Sequence, residues 1–161
     1  MYYALVHSYL RYGIVVWGNA AENILKPLHA VLNRVVRIMT FAPFGIGTKP
    51  IFDFLQILDI SQIFKLESGK FVYKTKNNML PISTIANHFE RRAVMHHHNL
   101  RDHANRFFIT PFVLLSSFKQ KSLHYRGQHL WNSIAELIRL SESFCIFKKC
   151  YKAHLLQELA D

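Results

Sequence analysis

Lys26-Pro27-Leu28-His29-Ala30-Val31-Leu32-Asn33-Arg34-Val35-Val36-Arg37-Ile38-Met39-Thr40 is the stretch that decides the fold class. Leu28, Val31, Leu32, Val35, Ile38 and Met39 recur at the three- and four-residue spacing of a helix face, and predict an amphipathic helix with those six inward. Pro27 fits the first turn of such a helix, where its missing N–H has no partner to lose. Asn33, Arg34 and Arg37 then fall on or beside the polar side.

The same helical spacing extends outward in both directions. Residues 2–17 predict a largely buried helix with Leu5, Tyr9, Tyr12 and Val16 on one face, closed by Gly18-Asn19. Residues 41–48, with Pro43, Gly45 and Gly47, form a loop, after which Thr48 can cap a short helix carrying Pro50 early. Asp59 or Ser61 starts a longer helix to about Asn77. Its apolar side holds Ile60, Ile63, Phe64, Phe71 and Val72, while Lys70 and Lys74, four apart, share an exposed side. A short helical piece follows around residues 83–89.

The second half reads differently. Residues 96–106 lack helical periodicity and suggest an extended polar loop. Residues 106–113 and 119–126 have strand-like content, with Phe107, Phe108, Ile109, Phe112 and Val113 in the first and Leu123 and Tyr125 in the second. Joined across Ser116-Ser117, they predict a small β-hairpin that Gly127 breaks. Residues 128–137 return to helix, and Ser141 or Ser143 caps a final helix to about residue 159. Phe144, Phe147, Tyr151, Leu155 and Leu159 lie at helical spacing along it. The expected fold is mainly α, with a helical bundle-like N-terminal half and a small β-hairpin plus terminal helices in the second. Residues 1–90 and 91–161 then form two regions, or one continuous domain.

Composition narrows the function. The chain has 161 residues, 50% of them hydrophobic and 14% aromatic, which is ample for a packed core. Its formal charge of +10 points to nucleic acid before an anionic membrane or an acidic protein. The surplus is central: residues 65–126 hold 11 Lys/Arg against 3 Asp/Glu, residues 1–64 hold 5 against 3, and residues 127–161 hold 4 against 4. Cys145 and Cys150 argue for a reducing compartment, cytoplasmic or nuclear. Five positions apart on a helix they are rotated by roughly 140° and cannot pair, so buried thiols are expected. His7 and Arg11 interrupt the apolar opening, which lacks a basic leader and does not read as a signal peptide. No apolar run approaches the roughly 18 to 20 residues of a spanning helix, and no membrane partner is expected.

Several tempting motifs have plain readings. Trp17 and Trp131 sit beside apolar neighbours in amphipathic segments and are read as structural core residues and not as base-stacking platforms. His96, His97, His98 and His103 could suggest a metal, but the cysteines lack knuckle spacing, so no metal or other cofactor is expected. The histidines more naturally add positive charge to a loop as pH falls towards about 6. Gly45-Ile46-Gly47-Thr48-Lys49 lacks the length and residue order of a phosphate-binding loop. No nucleophile elbow is present, so no catalytic residue is assigned.

Five segments occur in a recognisable order. They are Tyr12-Gly13-Ile14-Val15-Val16-Trp17-Gly18, Leu32-Asn33-Arg34-Val35-Val36-Arg37-Ile38, His98-Asn99-Leu100-Arg101, Tyr125-Arg126-Gly127-Gln128-His129-Leu130-Trp131-Asn132-Ser133-Ile134, and Ser143-Phe144 leading to Phe147-Lys148-Lys149. Together they resemble the region C-terminal to the polymerase core in reverse transcriptases of non-LTR retrotransposons, of the jockey-like long interspersed type. Leu32, Leu100 and Gln128 depart from that pattern, where Gln, Thr and Pro are usual. The resemblance implies the end of a thumb, in residues 1–90, and a post-polymerase segment. It also implies a parent RNA-directed DNA polymerase whose palm this chain does not contain: Asp53, Asp59, Asp102 and Asp161 are its only aspartates and none are adjacent. Met1 is then readable as an internal methionine of a longer protein.

The expected contact surface is basic. Lys65, Lys70, Lys74, Lys76, Arg91, Arg92, Arg101, Lys119, Lys121 and Arg126, together with Arg106, suit phosphate contacts, and Tyr73 and Tyr125 could stack on bases. Arg101 and Arg126 serve equally well as internal pins. Gly127 is expected to permit the turn that presents Trp131 to the interior. The expected function is weak, sequence-independent holding of template RNA or an RNA/DNA duplex against the missing palm domain. The alternatives are a structural remnant or domesticated fragment with no autonomous activity, and a module for protein or membrane surfaces.

Overall fold

Left-handed backbone at Gly13, with φ of 63°, splits the opening helix in two. A π-helical turn, Tyr3–His7, leads into α1, Ser8–Arg11; after the break comes α2, Ile14–Trp17. The computed structural model describes residues 2–43, 45–80 and 122–160. The remaining described elements are α3 (Glu22–Thr40), α4 (Lys49–Leu55), α5 (Ile60–Lys76), α6 (Leu123–Ser133), α7 (Glu136–Arg139) and α8 (Phe144–Ala160). The fold is mainly α, and no strand occurs among the described residues. The chain divides into two compact units, Met1–Glu67 with Lys149–Asp161, and Ser68–Lys148.

In the first unit the burial of the two segments that meet at Gly13 is the reverse of that expected. Trp17 Nε1 donates to the Tyr12 carbonyl at 2.8 Å, which ties the indole back over the turn. Tyr2, Leu10 and Ile14 are the buried residues here, whereas Leu5, Tyr9, Tyr12 and Val16 are exposed and Trp17 is only half-buried. The predicted inward face therefore points to solvent. Gly18 permits a close approach: a Cβ there would lie 2.6 Å from the Ile14 carbonyl and 2.7 Å from the Phe64 ring.

The α3 helix begins at Glu22, four residues earlier than the apolar pattern suggests, so Pro27 stands inside it and leaves the Asn23 carbonyl without its helical donor. Leu32 and Val36 are its fully buried residues; Val31, Ile38 and Met39 are exposed. Four-residue spacing thus marks the inward stripe, and the broader face predicted from composition is partly outside. The same unit is tied across sequence by Gln62 Nε2 donating to the Leu155 carbonyl at 2.8 Å, and by ion pairs Arg11–Glu67 at 2.7 Å and Lys65–Glu158 at 2.8 Å. His29 Nδ1 lies 3.1 Å from Asp59 Oδ1.

In the second unit the core is aromatic. Tyr73 stacks on Phe147 with ring centroids 4.6 Å apart, and Trp131 stands 5.7 Å from Phe147 and 6.4 Å from Tyr73. The Tyr73 hydroxyl donates to the Ser141 carbonyl at 2.9 Å, so burying the ring strands no polar group.

The hairpin expectation fails where it can be followed. Leu123 to Arg126 are helical, because the Ser122 hydroxyl accepts the Tyr125 N–H and caps α6. Gly127 is buried within that helix and ends no strand. The first hairpin strand, the polar loop and the short helix around residues 83–89 lie outside the described residues. Cys145 and Cys150 are both exposed free thiols, contrary to the buried role expected, since α8 turns its Phe147, Tyr151 and Leu155 stripe inward.

Removing the Trp131 indole, which has no exposed surface, should leave a cavity between Tyr73 and Phe147. Trp131→Ala is expected to cost about 3 to 5 kcal/mol in chemical denaturation. A loss under about 1 kcal/mol would show that the cluster is not a packed core.

Burial pushes the Tyr2 hydroxyl up to about 12, with Tyr3 and Asp59 adding to it, and raises that of Tyr151, with Glu158 adding. Folding favours the neutral phenols, so their contribution is intact below the ordinary value near 10 and is lost as pH rises through the folded values. Unfolding coupled to tyrosinate absorbance above about pH 10 is expected; Tyr2→Phe should flatten part of that dependence.

Candidate nucleic-acid interface

The cations expected to line α5 are mostly committed inside the protein. Lys70 is 5% exposed, so the shared outward face predicted for Lys70 and Lys74 does not exist. The reason is packing: Ser68 and Lys70 are buried on α5 alongside Val72, Tyr73 and Thr75, leaving the helix little free surface there. Lys74 Nζ sits 4.8 Å from the Phe144 ring centroid and Lys76 Nζ 5.3 Å from that of Trp131, as cation–π contacts. Lys65 pairs with Glu158 in the first unit.

Arg126 differs from these. It is exposed on the first turns of α6, and no ion pair engages it among the described residues. Tyr125 lies against His129, ring centroids 4.4 Å apart, and is half-buried; Tyr73 is in the core. Arg91, Arg92, Arg101, Arg106, Lys119, Lys121 and the histidines at 96, 97, 98 and 103 lie outside the described residues. Among the described residues no cluster of metal-binding side chains occurs, and no helix is long and apolar enough to cross a membrane.

A different surface emerges on α3. An open groove of about 720 Å³ runs between Ala30 and Ala42, lined by Asn33, Arg34, Arg37, Ile38 and Phe41. Arg34 is exposed and makes no ion pair among the described residues. Arg37 is half-buried and anchored by Nη2 donating to the Ile46 carbonyl at 3.2 Å. Phe41 ends the helix in left-handed backbone, φ 53°, with its N–H bonded to the Arg37 and Ile38 carbonyls. Its ring is 94% exposed.

Spacing alone places Asn33, Arg34 and Arg37 on or beside the polar side of this helix. The signal that singles them out is local: residues 23–52 carry Lys26, Arg34, Arg37 and Lys49 and not one carboxylate.

No protein-family model, curated protein or solved structure matches the chain.

Two substitutions should move stability in opposite directions. Phe41→Gly relieves a left-handed position that L side chains adopt at a cost, and is expected to stabilise the protein by about 1 kcal/mol. Lys70→Glu places the opposite charge in a buried site and is expected to destabilise by more than about 2 kcal/mol. Thermal melts of both variants check this; an unchanged Lys70→Glu melt would return that lysine to the surface.

Proposed function

We propose that the chain is a non-catalytic C-terminal portion of a non-LTR retrotransposon reverse transcriptase, holding template RNA or the primer–template duplex by charge. The observation that carries this is the state of two arginines: Arg34 and Arg126 are exposed and unpaired by carboxylates among the described residues. Both fall inside segments that resemble the family. Phosphates need charge more than exact geometry, so such cations suit binding that is largely independent of sequence. On this reading the polymerase palm of the parent protein supplies the catalytic carboxylates, and this chain acts inside the cell without a cofactor of its own.

A second reading draws on the exposed stripe Leu5, Tyr9, Tyr12 and Val16. Solvent-facing apolar side chains at helical spacing suit a docking face, so the chain can be a structural remnant whose partner is the rest of the parent protein. A chain that binds a separately produced palm equally well after Tyr9→Glu and Val16→Glu would remove that reading.

Binding to an RNA/DNA duplex is expected to be micromolar or weaker at physiological salt, on the order of 10⁻⁶ M or above. The log–log salt slope should lie near −4 to −5, for about 4 to 6 phosphates neutralised. No nucleotide incorporation is expected from the pure chain on a primed template with Mg²⁺ or Mn²⁺. A flat salt dependence would remove the electrostatic reading, and primer extension would remove the non-catalytic one.

A further inference from the structure

We infer that the α3 groove takes an unpaired stretch of nucleic acid, with a base stacked on Phe41 and adjacent phosphates on Arg34 and Arg37. The inference rests on the nucleic-acid reading above and narrows it from any strand to a single one.

Phe41 is the observation that starts the argument. A phenylalanine 94% exposed contributes nothing to a core, and it occupies a left-handed helix end where glycine would be less strained. Strain and solvent exposure together make this side chain a cost to folding, which is the pattern of a residue kept for contact with something else. Its ring is aromatic, flat and accessible, as stacking on a base requires.

The surroundings specify the charge of the occupant. Ala30, Arg34 and Arg37 recur at helical spacing along α3, so both guanidinium groups share one stripe, and Phe41, which ends the helix, lines the same groove. Arg37 is held in place by the Ile46 carbonyl, whereas Arg34 extends into solvent. Residues 23 to 52 contain no carboxylate, and Arg34 makes no ion pair among the described residues. Asn33 adds an amide that can donate to and accept from a base edge. The groove's volume of about 720 Å³ falls within the range of about 300 to 1,000 Å³ typical of ligand sites.

A duplex satisfies the arginines but not the phenylalanine, because its base faces are already stacked on one another. An unpaired strand offers both phosphates and an open base face. An acidic peptide would also meet the arginines, but it has no need of the ring.

The test measures anisotropy of labelled oligouridylate and of an RNA/DNA duplex of equal length on the full chain and three variants. Phe41→Gly is expected to melt higher than wild type yet bind oligouridylate about tenfold more weakly, with duplex binding within twofold. Phe41→Trp should restore oligouridylate binding, and Arg34→Gln should reduce the salt slope on the single strand by about 0.7. Unchanged oligouridylate affinity in Phe41→Gly would overturn the groove while leaving general nucleic-acid binding in place. Loss of duplex and single-strand affinity together in Phe41→Gly would overturn the single-strand assignment. Competition by polyglutamate equal to that by unlabelled oligouridylate would make this a site for acidic protein. Wild-type protein that binds neither nucleic acid would overturn both the groove and the broader reading.

Discussion

Burial of the Tyr73, Trp131 and Phe147 rings is the constraint on which the second unit depends. Three large aromatic side chains cannot be left in water in so small a unit, and bringing them together requires the end of α5, the body of α6 and the start of α8 to converge. Once they do, the surface around the rings must be covered as well. Lys74 and Lys76 do part of that work, laying their ammonium groups over Phe144 and Trp131. The packing that makes the unit therefore also engages these half-buried lysines internally.

That competition explains why charge counting overstates the cations that α5 offers to a ligand. The surplus of Lys and Arg in residues 65–126 is real, yet along α5 one lysine is buried, two cap aromatic rings and one pairs with Glu158. A net charge records how many cations a segment has and not which of them face water. The α3 helix, with fewer cations, keeps Arg34 outside because its inward stripe is narrow, built on Leu32 and Val36. An apolar stripe that narrow leaves Val31, Ile38 and Met39 exposed as well, and Ile38 joins Ala30 and Ala42 in lining the groove.

Much of the helical architecture was legible. The spacing of Phe147, Tyr151 and Leu155 marks the inward side of α8, and Thr48 with Pro50 marks the start of α4. Where reading failed, a local preference met something that periodicity does not encode. Leu5, Tyr9, Tyr12 and Val16 form a regular stripe, but Tyr2, Leu10 and Ile14 take the inward side of the helical segments that a left-handed Gly13 divides. Leu123 and Tyr125 favour a strand, but a serine cap ahead of them starts a helix. The candidate site was less legible than the fold, since a ring exposed at a helix end looks, in sequence, like one more core phenylalanine.

The central claim is that this chain contacts RNA through the edge of α3. Photo-crosslinking to a thiouridine-substituted RNA, followed by peptide mass mapping, addresses it most directly. The account predicts adducts on the peptide that contains Phe41, suppressed by unlabelled RNA and by raised salt. Adducts absent from that peptide, while other parts of the chain crosslink efficiently, would contradict it.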